Sequence, residues 1–213
     1  MKSAVKIIKL DEQREERHFM YGLFDSYIRS ALVSGSIGQY LNRIPVHKND
    51  LFFIEAGTVH AIGAGCLIAE IQESSNVTYR LYDYDRVDQT GKKRQLHVEK
   101  AINVANLKSS LAPRQPMRVL KYKAGFASEL LARCSYFQVE RVLLNTEVRR
   151  NLVDFQTKEN SFHALLCVDG CGSISVDGSN FMLNFFKGDC IFVPAKSEIL
   201  KLHGRAQLLD VSC

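Results

Sequence analysis

The sequence predicts a mainly β protein in two halves, each half built of short strands. One observation is a twelve-residue phrase that occurs nearly twice. Its first copy runs Asn49-Asp50-Leu51-Phe52-Phe53-Ile54-Glu55-Ala56-Gly57-Thr58-Val59-His60. Its second runs Gly188-Asp189-Cys190-Ile191-Phe192-Val193-Pro194-Ala195-Lys196-Ser197-Glu198-Ile199. Each copy reads as a tight turn, an apolar strand and a second turn. Another observation is the spacing of the chain after Arg118, where short apolar runs alternate with Gly and Asp, the pattern of a sandwich or barrel. A repeated β unit with a metal-capable side chain in one copy only, His60 against Ile199, points to one working site and one structural partner.

The individual elements follow from local pattern. Residues 1–17 are polar and charged apart from the apolar stretch Ala4 to Leu10. His18–Leu23 reads as a strand entering a turn. Asp25 suits the N-cap of a short helix through Ile28, Ala31 and Leu32, stopped by Ser34 and Gly35. Ile37, Tyr40 and Leu41 give a second short helical face ending near Arg43. Strands are expected at 44–47, 51–55, 66–72 and 78–84. In the last of these Tyr79, Leu81 and Asp83 alternate with Arg80, Tyr82 and Tyr84. His97 to Leu107 reads as a helix. Residues 108–117 hold two prolines in a polar setting and form the expected linker. Beyond it, strands are expected at 118–122, 135–144, 162–168, 172–176, 181–186, 190–193, 198–202 and 206–212. Residues 168–172 and 176–179 carry hairpin-turn signals.

Composition narrows the function. Of the 213 residues 46% are hydrophobic, ample for a core, and only 4 are proline and 13 glycine, so long flexible linkers are not expected. The net charge of +5 is modest, and the densest basic run, Lys92-Lys93-Arg94, sits beside Gly91 in a turn. That argues against a nucleic-acid partner. The six cysteines form no CxxC pair and are read as reduced, in a cytoplasmic setting. Cys66, Cys167 and Cys190 lie in apolar runs, where a thiol acts as a small hydrophobe. No signal core and no membrane span are expected.

The chemistry centres on two residues. Gly57-Thr58-Val59-His60 places an imidazole just past a glycine turn, where it can enter the mouth of a small barrel and hold a metal. One such histidine alone is more often a hydrogen-bonded core or surface residue. The repeat tells against that, because Ile199 fills the matching place. Arg80 can hold a phosphate or stabilise developing negative charge on oxygen. It can equally be an ion-pair partner of Asp83 or Asp85, or stack on a tyrosine. Glu70 and Gln72 share a face of one strand, so either can orient the site from behind or lie on a solvated edge. His97 begins a helix and is read as a surface residue. His18, His47, His163 and His203 show no ligand spacing, so local motifs supply one metal ligand only.

Taken together, Glu55–Ile62, Ala69–Arg86 and Arg94–Ala101 resemble the type I mannose-6-phosphate isomerases in their short bacterial form. The phrase at 188–199 is similar to the generic cupin pattern. The resemblance covers nearly the whole chain and is densest at 44–106. It implies two cupin-like (jelly-roll) β-barrels, the first incomplete, with a few short helices. Residues 1–107 would be the C-terminal part of the catalytic cupin and 118–213 a second, metal-free cupin. It implies a zinc-dependent interconversion of mannose 6-phosphate and fructose 6-phosphate, with His60 as a zinc ligand and Arg80 as the active-site arginine. The chain departs from the pattern at Asn49 and Glu55, and Glu55 is expected near the barrel mouth. It also enters the pattern near Arg17, past the histidine and glutamate that would complete the zinc shell. The expected partners are a sugar phosphate and a complementary N-terminal fragment, with no membrane. The chain alone is expected to bind zinc weakly and to turn over little. Zinc rests on the resemblance, since an imidazole site of this kind also accepts iron, manganese or nickel. The alternative is a non-catalytic cupin module that binds a sugar phosphate or a partner protein.

Overall fold

The computed structural model describes residues 4–10, 18–21, 28–106, 119–148 and 151–213. The predicted Asp25 N-cap and the predicted linker at 108–117 lie outside them. The chain divides into two compact units, Met1–Gln115 and Pro116–Cys213. Both are mainly β, with a cupin-type fold and few helices.

The first unit holds two three-stranded sheets. In one, β1 (Ala4–Leu10) lies between β4 (Leu51–Ile54) and β6 (Cys66–Gln72), antiparallel to both. The sequence reading leaves Ala4–Leu10 unassigned, yet it is a central strand, paired from Ala4 opposite Gln72 to Leu10 opposite Cys66. In the other, β2 (His18–Tyr21) lies between β3 (Asn42–Pro45) and β5 (His60–Ile62). Pro45 is tolerated there because β3 is an edge strand. Val46, Phe52 and Ile54 form a buried cluster with Ile44, Cys66 and Ile68 packed on it.

Two short helices complete this unit, α1 (Ile28–Val33) and α2 (Val98–Val104), with a 3-10 turn at Ile37–Tyr40. Their apolar residues Ile28, Ala31, Ile37 and Ala101 close on Leu81 in a second buried cluster. Residues 78–84 are not the predicted strand. Leu81 and Asp83 are buried, so the alternation is real, but the backbone pairs with no strand. Its hydrogen bonds go to the start of α2 instead, and Tyr84 and Asp85 both take left-handed backbone at φ 54 and 53.

The second unit is an eight-stranded sheet in the order β12-β11-β14-β9-β8-β7, with β10 on β14 and β13 on β11. These strands are β7 (Lys121–Lys123), β8 (Phe126–Arg133), β9 (Gln138–Asn145), β10 (Val153–Phe155), β11 (His163–Val176), β12 (Met182–Phe186), β13 (Cys190–Val193) and β14 (Leu200–Ser212). Leu165, Cys167, Ile174, Phe185, Leu202 and Leu208 belong to its core.

The predicted turn at 168–172 is corrected: β11 runs straight through it, with a bulge between Cys167 and Asp169. Gly170 turns this bulge at φ 76, and a Cβ there would stand 2.1 Å from the Arg205 carbonyl oxygen. The predicted break between 202 and 206 is likewise absent, because Gly204 lets β14 pass within contact of Gly172. The turn at 176–179 forms, with the Ser179 N–H donating to the Val176 carbonyl at 3.3 Å. β8 and β10 have no counterpart in the sequence reading. Cys190 is exposed rather than an interior hydrophobe, and all six cysteines are unbridged. Among the described residues no helix is long and apolar enough to cross a membrane.

The repeated phrase is a repeated backbone. Asn49 and Gly188 both take positive φ (73 and 103), and so do Gly57 and Lys196 (93 and 57). Asp50 accepts from the His47 N–H at 2.8 Å, and Asp189 accepts from the Phe186 N–H at 2.8 Å. Asparagine suits the first position because it tolerates left-handed backbone.

Candidate active site

His60 opens β5, directly opposite Tyr21 of β2. Its Nδ1 is 2.9 Å from the Thr58 carbonyl oxygen. A carbonyl only accepts, so Nδ1 carries the proton and the lone pair is on Nε2. This is the arrangement that orients a metal-ligating imidazole. The ring is half-buried. The turn before it is fixed from two sides. Thr58 N–H donates to the Glu55 carbonyl at 3.1 Å, and Asn106 N–H, just past α2, donates to the Gly57 carbonyl at 2.8 Å.

Arg80 is held by the other end of the same helix. The Arg80 N–H donates to His97 Nδ1 at 3.2 Å, and the His97 N–H donates to the Arg80 carbonyl at 2.7 Å. Its guanidinium donates to the Gln95 carbonyl at 3.1 Å. Thus α2 ties down Arg80 at its start and the His60 turn just past its end. The seven-residue helix between the two anchorages, His97 and Asn106, is about 10 Å long.

Asp83 organises the arginines. Its carboxylate is buried, accepts from Arg94 Nε at 2.7 Å and Arg86 at 2.6 Å, and stands 4.0 Å from Arg80 Nε. The hydrogen bond from Arg94, opposed by burial and aided by Arg86, lowers its pKa to about 2. Asp85 pairs with Lys93 at 2.6 Å. The ion-pair alternative for Arg80 is met in part: Asp83 pairs with it at 4.0 Å but makes shorter bonds to Arg86 and Arg94, while Asp85 pairs with Lys93. Three guanidinium groups around one carboxylate leave an excess of positive charge beside Arg80.

Glu55, Glu70 and Gln72 are all exposed. Glu70 and Gln72 lie on the face of β6 that carries Cys66 and Ile68, but the packing on that face ends at Ile68, and the half-buried residues beyond it are Ala69 and Ile71. The reading of His97 as a surface residue is corrected. It is half-buried, and its ring lies 6.1 Å from that of Tyr79. A cleft of about 540 Å³ opens between α1, residues 81–85 and the start of α2, lined by Leu32, Tyr82, Leu96 and the Arg29–Glu99 pair. Neither His60 nor Arg80 lines it.

Sequence reasoning missed His97 and Asp83 as supports. Only the seventeen-residue gap between His97 and Arg80 was visible, and no local spacing rule connects residues so far apart.

The geometry can be set beside known proteins. Residues 128–213 match the family described as "Mannose-6-phosphate isomerase, cupin domain". The chain is similar to mannose-6-phosphate isomerase ManA of Bacillus subtilis (strain 168), at 33% identity over 175 residues. That match covers 82% of this chain and 52% of the relative. A crystal structure of mannose 6-phosphate isomerase from Bacillus subtilis superposes with a TM-score of 0.84 at 25% identity, covering 100% of this chain and 64% of that one. A zinc-bound mannose 6-phosphate isomerase shares the fold at a TM-score of 0.64 and 13% identity, over 99% of this chain and 65% of that one. The fold is thus the cupin-type fold of these isomerases. In sequence and fold the chain is similar to the type I phosphomannose isomerases. It spans about half the length of the curated relative named here.

Proposed function

We propose that this chain forms the sugar-phosphate-binding part of a zinc-dependent mannose-6-phosphate isomerase, an aldose–ketose isomerase. The observation that carries the proposal is α2, which braces Arg80 at its start and, just past its end, the Gly57 turn that leads into His60, whose lone pair is on Nε2. Such an enzyme moves a proton between C1 and C2 of the sugar through an enediolate. Arg80, backed by the positive cluster around Asp83, holds the phosphate or the enediolate oxygen.

The donor set fits one corner of a zinc site. A catalytic zinc keeps about three protein ligands. His60 supplies one, and among the described residues no group of three His, Cys, Asp or Glu side chains is placed to hold a metal. The remaining ligands of the single zinc ion would then come from a complementary N-terminal segment. Glu70, Gln72 and Glu55 are candidates for orienting the sugar or those ligands.

The test is a coupled isomerase assay with bound zinc measured alongside. The chain is assayed alone and mixed with the part of the Bacillus subtilis enzyme that lies outside the match. The proposal expects weak zinc binding and little turnover alone, and turnover in the mixture that His60→Ala and Arg80→Ala abolish. Turnover in the mixture that survives both substitutions would overturn it. Fructose 6-phosphate binding with no turnover in any mixture would replace it with a non-catalytic binding module.

A further inference from the structure

His97 stands at the N-cap of α2, yet its side chain caps nothing: no hydrogen bond runs from it to the first N–H groups of the helix. Histidine is a poor choice for that position, where Asn, Asp, Ser and Thr stabilise helices best. Its Nδ1 is turned the other way, to accept the Arg80 N–H at 3.2 Å. The donor is a backbone amide, so Nδ1 must be the unprotonated nitrogen and the ring must be neutral. The reciprocal bond, His97 N–H to the Arg80 carbonyl at 2.7 Å, closes a ring of two bonds between two backbone segments. Residues 78–84 make no strand pairing, so this ring takes the place of a β ladder at Arg80.

We propose that His97 is the positioning residue for Arg80, and that protonation of its ring releases the arginine. The proposal rests on the reading of Arg80 as the sugar-phosphate ligand. A protonated imidazole has two donors and no acceptor. The Arg80 N–H then faces a donor, the bond is lost, and the backbone that aims the guanidinium is held on one side only. On the facing segment the titratable and charged neighbours are Tyr79, whose ring is 6.1 Å away, and Arg80 itself. On its own helix they are Glu99, which pairs with Arg29 of α1 at 2.9 Å, and Lys100. Arg94 and Arg86, which precede the helix, are committed to Asp83. The consequence is a site competent for an anion when His97 is neutral and loosened when it is charged.

The test is a pH series of residue-resolved amide NMR on the wild-type chain, on His97→Asn and on His97→Ala, with fructose 6-phosphate titrated into each. In the wild type the Arg80 amide should lose its exchange protection in step with the His97 ring resonances. Binding of fructose 6-phosphate should weaken through the same range by about two- to ten-fold, the effect of one hydrogen bond. Asparagine places Oδ1 the same number of bonds from Cα as histidine places Nδ1, and it does not titrate. His97→Asn should therefore show no pH step at Arg80, whether its oxygen accepts from Arg80 or caps α2. His97→Ala should leave the Arg80 amide unprotected at every pH. The ionisation of the phosphate is common to all three proteins and cancels in the comparison.

An Arg80 amide indifferent to the ring titration, or a pH step that persists in His97→Asn, would overturn the proposal. Failure of the wild type to bind fructose 6-phosphate at any pH would overturn the functional reading instead. The amide measurement would still decide the role of His97.

Discussion

Replacing Gly57 by alanine should detach the His60 turn from α2, and the structure sets the size of the effect. At φ 93 an L side chain is strained by about 1–2 kcal/mol. The new Cβ would also stand 2.9 Å from the Val104 carbonyl oxygen and 3.3 Å from the Asn106 nitrogen. Both are backbone atoms, so no side chain can swing away and the turn and the helix must part. Forced overpacking of this kind costs about 1–3 kcal/mol. The total is about 2–5 kcal/mol, with loss of the Asn106 N–H to Gly57 carbonyl bond. Gly91→Ala is the internal control. Gly91 has φ 79 and nothing within 4 Å of its Cβ position, so it should show the strain alone. The assay is native-state amide hydrogen exchange, read at Asn106 and at Ala101, whose N–H donates to the His97 carbonyl at 2.8 Å. If Gly57→Ala lowers protection at these two amides no more than Gly91→Ala does, the bracing of the turn by α2 is refuted.

Other substitutions probe separate parts of the account. Arg80→Ala should weaken fructose 6-phosphate binding by about ten- to a hundred-fold, the effect of one charge-assisted contact, as read by calorimetry. Asp83 titrates near 2 in the folded chain, below its ordinary value of 3.8. Its stabilising contribution is therefore fully present above about pH 4 and is lost as pH falls toward 2. Thermal melts should show the wild type losing stability over that window more steeply than Asp83→Asn, which is weaker throughout. In the second unit, Glu129 lies directly opposite Arg141 and pairs with it in a buried setting. Glu129→Ala should cost about 3–5 kcal/mol in urea unfolding by stranding the guanidinium, and Glu129→Leu with Arg141→Met should recover most of it.

Several elements were legible because their burial is periodic or complete. Residues 51–54, 66–72 and 190–193 are short apolar runs with turn signals on both sides, and they form strands. The repeat was legible for a deeper reason. Its turns need left-handed backbone at matching positions, and Asn49, Gly57 and Gly188 show that need in their residue type.

Phe126–Arg133 was not legible. Its eight residues include five buried ones, Glu129 among them, and a bulge between Leu130 and Ala132, so no alternation remains. The long strands β11 and β14 were read as broken because glycine signals a turn. Here Gly170, Gly172 and Gly204 instead allow two backbones to approach too closely for any Cβ. At the site, His60 and Arg80 could be named from their motifs. The contacts that hold them could not, because His97, Gln95 and Asn106 reach them across gaps that only the folded chain closes. Residues 78–84 show the same limit, since their alternation marks burial against helices and not pairing with a strand.

The most direct measurement is a fructose 6-phosphate titration of the labelled chain, followed at the His60 ring and the Arg80 guanidinium by NMR. Bracing of Arg80 and the His60 turn by one helix predicts that the two signals shift together along a single binding curve, and that Arg80→Ala moves the His60 shift to fructose 6-phosphate concentrations about ten- to a hundred-fold higher. Shifts confined to scattered lysines, or a His60 ring that stays still while Arg80 responds, would contradict the account.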